Sequence, residues 1–127
     1  MYAIGVDIGG TTVKLGVVKS GLEIVYRDRR QSPRDPQEMA RVIHGMVQVA
    51  LRRFPGVPVG VSCAGSLDNR GFVTANQLGW LNAPLGMMLY ELFGYALPME
   101  NDAVCALAAE HIHGALKGHV TAILITL

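Results

Sequence analysis

Long apolar runs are missing from this sequence: no stretch approaches the about 18 uninterrupted apolar residues that a membrane-spanning helix needs. A predominance of one charge is missing too. Eleven basic side chains stand against ten acidic ones over 127 residues, a formal net charge of +1. No chain-wide field attracts nucleic acid or anionic lipid, and neither is an expected partner. Cysteine is scarce. Cys63 and Cys105 lack the paired spacing of a zinc knuckle or a redox couple, so both read as small buried hydrophobes. Internal repeats, low-complexity segments and Ser/Gly linkers are absent, which leaves one domain as the expectation. The beginning has no basic region and no small-residue cleavage site, Met1 leading almost at once into Ile4-Gly5-Val6-Asp7, so a cytoplasmic protein is expected.

What is present is core-forming material. Half of the residues are apolar and 17% are charged, a balance that excludes a disordered tail, a collagen and a coiled coil. Strands are expected over Ala3–Ile8, Thr12–Lys19 and Leu22–Arg29, joined by Gly9-Gly10 and Ser20-Gly21, which makes an antiparallel meander. A helix follows. Asp35 caps it, Pro36 suits its first position, and Glu38 stands where a capping box requires it; Met39, Val42, Ile43, Met46, Val47, Ala50 and Phe54 form the apolar stripe. Pro55-Gly56 ends that helix, and Val57–Cys63 reads as an internal parallel strand. Residues 64–84 read as an irregular loop, followed by a helix over Leu85–Tyr95 and a short strand at Pro98-Met99. A helix over Ala103–Lys117 and a closing strand over Val120–Leu127 complete the chain. The order βββαβαβα plus a strand describes an α/β mixed sheet with flanking helices.

Three clusters carry chemistry. Asp7-Ile8-Gly9-Gly10-Thr11-Thr12 is at its simplest a glycine turn. However, a carboxylate interrupting an apolar strand is costly unless a cation or water faces it. Glycines also let backbone N–H groups approach a phosphate, with Thr11, Thr12 and Lys14 as further donors. The sharper reading is a phosphate-binding hairpin with Mg²⁺ near Asp7. Glu100-Asn101-Asp102, directly before a helix, has more acceptors than a cap needs, and the carboxyl end of a strand is where open sheets bind ligands. Asp102 is the candidate base for a substrate hydroxyl. In the intervening loop Gly65, Asn76 and Asn82 offer hydrogen bonds to a neutral polyol, while Trp80 reads as packing. His111 and His113, two apart on a helix, do not share a face, which argues against metal ligation.

Together these motifs resemble the ROK family of sugar kinases, in the actin-like, ribonuclease-H-like superfamily that includes bacterial glucokinases. The resemblance rests on Asp7–Thr11, on Ala64-Gly65 with Leu67-Asp68 and Gly71, on Asn76–Trp80, and on Glu100–Asp102, four motifs in order over nearly the whole chain. Ala64 and Ala75 stand where the family usually has proline. The resemblance implies transfer of a phosphoryl group from Mg·ATP to a glucose-like hexose. Asp7, Gly9, Gly10, Thr11 and Lys14 would serve the phosphates, and Asp7 would serve Mg²⁺, directly or through water. Gly65, Asn76, Asn101 and Asp102 would serve the sugar, with Asp102 as base. It further implies that residues 1–119 form the N-terminal lobe and that 120–127 begin a second lobe absent here, with the family's zinc site absent along with it. A poorly active chain is therefore expected. The alternatives are the effector domain of a sugar-sensing regulator, or a non-catalytic fragment forming a homodimer through its last strand.

Overall fold

A computed structural model describes residues 1–126. The meander is present as β1 (Tyr2–Ile8), β2 (Thr12–Lys19) and β3 (Glu23–Gln31), followed by helix α1 (Pro36–Arg53) and β4 (Val59–Cys63). Next come three short strands, β5 (Ser66–Leu67), β6 (Val73–Ala75) and β7 (Trp80–Ala83), with a 3₁₀ turn over Asn76–Leu78. Helix α2 (Leu85–Phe93), β8 (Met99–Asn101) and helix α3 (Asp102–His113) complete the elements. The main sheet has the order β3-β2-β1-β4-β8, with β2 antiparallel to both neighbours and β4 parallel to β1 and β8. Among the described residues no helix is long and apolar enough to cross a membrane.

Alternation along the strands sorts the two faces. Ile4, Val6 and Ile8 of β1 and Val13, Leu15 and Val17 of β2 are buried on one face, under α1. That helix forms where its signals are local. The Asp35 carboxylate accepts the Glu38 N–H at 2.9 Å, Pro36 needs no N–H partner, and Arg52 and Arg53 sit at the negative end of the dipole. Its stripe is Met39, Ala40, Ile43, Met46, Val47 and Ala50, all buried. Each large member contributes roughly 1.5–3 kcal/mol by leaving water. Helix α2 packs on α1 through buried Leu85 and Leu89. Helix α3 starts from the β8 end and buries none of its residues.

Three expectations are corrected. Residues 64–84 are not irregular: β5, β6 and β7 make a separate three-stranded antiparallel sheet, with strands too short to leave an alternation pattern. Helix α3 ends at His113, four residues early, where Gly114 caps it and turns continue. The closing strand over 120–127 does not form in residues 120–126, and Leu127 lies outside the described residues. Strand propensity needs a hydrogen-bonded neighbour, and no described segment supplies one there.

Replacing Ile43 by Ala is expected to cost about 2–5 kcal/mol of stability, as a buried side chain leaves a cavity. Asp35→Ala should cost about 1 kcal/mol through the lost cap. Val49→Ala, at a 40% exposed position of the same helix, should stay within about 0.5 kcal/mol. Urea unfolding of the three variants checks the order.

Candidate active site at the carboxyl edge of the sheet

Three parallel strands end side by side. Ile8, Cys63 and Asn101 are register partners across β1, β4 and β8, so the segments that follow them leave the same edge of the sheet. These are Gly9-Gly10, Ala64-Gly65 and Asp102. One residue earlier, Asp7, Ser62 and Glu100 are partners on the face turned away from α1. Sequence positions far apart therefore meet because of pairing, and the site follows from the register.

The hairpin is held tightly. Gly9 N–H donates to the Thr12 carbonyl at 3.1 Å, while the Ser32 hydroxyl donates to the Gly9 carbonyl at 2.7 Å and Ser32 N–H to the Thr11 carbonyl at 2.8 Å. Glycine is required at position 10 by proximity: a Cβ there would lie 2.7 Å from Gln77 Cβ. The turn carrying Asn76 thus abuts the hairpin, and the Arg34 guanidinium donates to the Gln77 carbonyl. Trp80 packs, as expected: it is 5% exposed, and its indole N–H donates to the Arg34 carbonyl at 2.7 Å.

The sugar-loop residues join the same edge. Gly65 has φ +121°, and a Cβ would stand 2.3 Å from the Thr74 carbonyl oxygen, so glycine alone fits against the strand leading into Asn76. The Asn101 amide donates to the Gly65 carbonyl at 2.6 Å while its Oδ1 accepts the Ala103 and Val104 N–H groups at 3.0 and 3.3 Å. One side chain both caps α3 and ties it to the loop after β4. Asp102 is exposed, its Oδ1 accepting the Ala103 N–H at 2.8 Å. Asp7 Oδ1 accepts the Ser62 hydroxyl at 2.6 Å. Asn82, also offered for a polyol, is instead tied to Thr74, whose hydroxyl accepts its N–H at 3.1 Å. Lys14 stands directly across β1–β2 from Asp7.

Electrostatics link the two acidic residues. Burial first, then the carboxylates of Asp102 and Asp7, push the Cys63 thiol from 9.0 to about 11. The Cys105 thiol is also raised, by burial and then by Glu100, Asp7 and Asp102. Both cysteines are neutral fillers between negative groups, in keeping with small hydrophobes. Cys105 of α3 borders a hollow of about 560 Å³ with Asp7, Ser62 and Glu100. Asp68 has a different role: the Phe72 and Arg70 backbone N–H groups, each at 2.9 Å, hold its carboxyl below the usual range and staple the β5–β6 hairpin.

Sequence reasoning missed Ser62, Ser32 and Arg34. Ser62 had a signal, a hydroxyl on the outward positions of an otherwise apolar strand. The other two act through backbone groups far away in sequence.

A profile of the ROK family matches residues 3–127. The chain belongs to the ROK family. Glucokinase of Streptomyces coelicolor is 32% identical to it over 126 residues, spanning 98% of this chain and 40% of that enzyme. N-acetyl-D-glucosamine kinase of Vibrio cholerae is 30% identical over 117 residues, spanning 89% and 39%. The crystal structure of a ROK family glucokinase from Streptomyces griseus in complex with glucose and AMPPNP superposes with a TM-score of 0.79 at 31% identity, covering 94% of this chain and 39% of that one. The ROK chain thus has the expected actin-like α/β fold and spans about two-fifths of the length of these relatives.

Because the folded state keeps the Cys63 proton that the unfolded chain releases, its contribution to stability is full below pH 9 and falls as pH rises toward about 11. Urea unfolding of the parent and Cys63→Ala over that range should show the difference between them shrinking. A constant difference contradicts the buried thiol.

Proposed function

We propose that this ROK chain is the lobe of a hexose kinase that holds the acceptor hydroxyl and the transferring phosphoryl group. The observation that supports it is the shared carboxyl edge, where the glycine hairpin, the Gly65 and Asn76 turns and Asp102 converge, and where both Asp7 and Asp102 act on Cys63. The sugar kinases among its relatives support the same substrate class.

Each residue has a distinct task. Gly9 fixes the turn through its bond to the Thr12 carbonyl, while the Gly10 and Thr11 N–H groups and the Lys14 ammonium stabilise phosphate charge, which is most of what a protein contributes to phosphoryl transfer. Gly65, Asn76 and Asn101 orient the hexose. Asp102 accepts the hydroxyl proton as the oxygen bonds to phosphorus, a role that depends on placement because a carboxylate is a weak base. Asp7 is one exposed carboxylate, and the described residues contain no group of three or more metal-ligating side chains. That donor set fits Mg²⁺, which keeps its waters and takes one or two carboxylates together with substrate phosphates. When bound, the ion supplies charge neutralisation at the phosphates.

An assembly reading has separate support. Val120, Ile123 and Ile125 are 101%, 84% and 80% exposed on a β-prone segment, the kind of surface that pairs with a second copy. Sedimentation showing a dimer that Ile123→Lys disperses is the outcome expected for it.

The purified chain should bind glucose weakly, with a Kd of about 1 mM or above, and transfer little phosphate in a coupled assay. Full-rate hexose phosphorylation by these 127 residues contradicts the lobe assignment. In the whole protein, Asp102→Asn should lower kcat about 10²- to 10⁴-fold with a much smaller change in hexose KM.

A further inference from the structure

The short segment between β3 and α1 bonds to both ligand turns of the candidate site. Ser32 serves the glycine hairpin: its hydroxyl donates to the Gly9 carbonyl at 2.7 Å and its N–H to the Thr11 carbonyl at 2.8 Å. Arg34 serves the Asn76 turn. Its guanidinium donates to the Gln77 carbonyl, and its own carbonyl accepts the Trp80 indole N–H at 2.7 Å. Pro33 stands between the two, and its ring fixes the backbone φ there. Two turns far apart in sequence are thus held from one stiff tripeptide.

Neither end lets go without cost. Ser32 is 9% exposed and Trp80 5%, and a buried donor that loses its acceptor bears the whole cost of its desolvation. A shift of the Asn76 turn alone strips Trp80 of its partner, and a shift of the hairpin alone strips Ser32. The turns also touch directly, since a Cβ on Gly10 would lie 2.7 Å from Gln77 Cβ, so neither advances on the other. On its far side the tripeptide runs into Asp35 and Pro36, the start of α1, which the core holds in place. Arg34 itself is exposed. Fixing a long, exposed side chain on a backbone carbonyl sacrifices rotamer freedom for little stability, and what it fixes is the turn that carries Asn76.

We propose that Ser32, Pro33 and Arg34 are positioning residues that couple the two ligands, so that a hexose ordering the Asn76 turn also orders the hairpin for the phosphate donor. By linkage the phosphate then strengthens hexose binding by the same factor. The proposal rests on the reading of the two turns as sugar and phosphate sites, a reading that needs each turn separately and no tie between them. None of the three residues touches a ligand. Each ligand restrains its own turn, and the tripeptide passes the restraint on, which lowers the ordering cost of the second ligand.

Trp80 is the single tryptophan of the chain, so its emission reads the Asn76 turn. Sodium tripolyphosphate, a triphosphate without a base, should change that emission in the purified chain with no sugar present, although it binds at the hairpin. Calorimetric titration with glucose should give an affinity about five-fold higher or more when tripolyphosphate is present. Arg34→Ala and Pro33→Gly should each bring that ratio to about one and abolish the emission change, with each ligand's own affinity kept within about three-fold. Pro33→Gly removes no hydrogen bond, because proline has no N–H. Arg34→Lys keeps a cationic donor and should restore about half of the coupling or more. A ratio of about one in the parent, beside binding of both ligands, overturns the coupling and leaves the site reading standing. A ratio unchanged in both variants also overturns it, as the result of a tie that serves stability alone. Tripolyphosphate affinity lost in Arg34→Ala and kept in Pro33→Gly makes Arg34 a phosphate ligand and overturns it too. A parent chain that fails to bind one or both ligands overturns the site reading, and the coupling with it.

Discussion

The parallel pairing of β1, β4 and β8 is the constraint on which the site depends. Register partners Ile8, Cys63 and Asn101 bring three strand ends to one line, and whatever follows each strand is delivered to a common edge. A slip of one residue in either pairing would turn Asp7 or Ser62 to the opposite face and bring a buried valine or cysteine outward. That slip is prevented by α1, which needs Ile4, Val6, Ile8, Val59 and Val61 beneath it. The apolar core thus sets the polar geometry, although no core residue takes part in the chemistry.

A second link connects the site across the strand ends. The Asn101 side chain satisfies two orphan donors of α3 with its oxygen and the Gly65 carbonyl with its nitrogen. Helix α3 buries none of its residues fully, so this amide and its attachment to β8 fix its start, with Ala103, Cys105 and Leu107 half-buried. Cys63 and Cys105 then fill the space between Asp7, Glu100 and Asp102 without adding charge. A basic side chain there would quench those carboxylates by pairing with them, and a further acid would protonate.

How far the fold was legible varied by element. Helix α1 was readable because its cap, proline and stripe lie within one segment, and each signal agrees with the others. The meander was readable from turn glycines. The 64–84 region was not, because β5 has two residues and β6 three, and their stability comes from neighbours in a second sheet. The 120–126 segment failed for the opposite reason: a strong local preference had no partner to satisfy it. Of the candidate site, Asp7, Gly9, Gly10, Gly65, Asn101 and Asp102 were identifiable by residue type and motif. Ser32 was not, and Ser62 showed only as a hydroxyl on an apolar strand, since each matters through a hydrogen bond to a residue more than twenty positions away.

The amino-acid order by itself determined the meander, the helices, the parallel strands, the family and the chemical kinds of side chain available, because those depend on local periodicity and short motifs. Net charge, by contrast, carries no position: a value of +1 does not show that Lys14, Arg27 and Arg29 stand exposed on one face of the sheet. Only the tertiary structure decided which carboxylates share a hollow, which hydroxyl bonds Asp7, and where positive charge collects. Those are properties of strand pairing, and pairing is settled by burial and hydrogen bonding between segments that the chain itself keeps far apart.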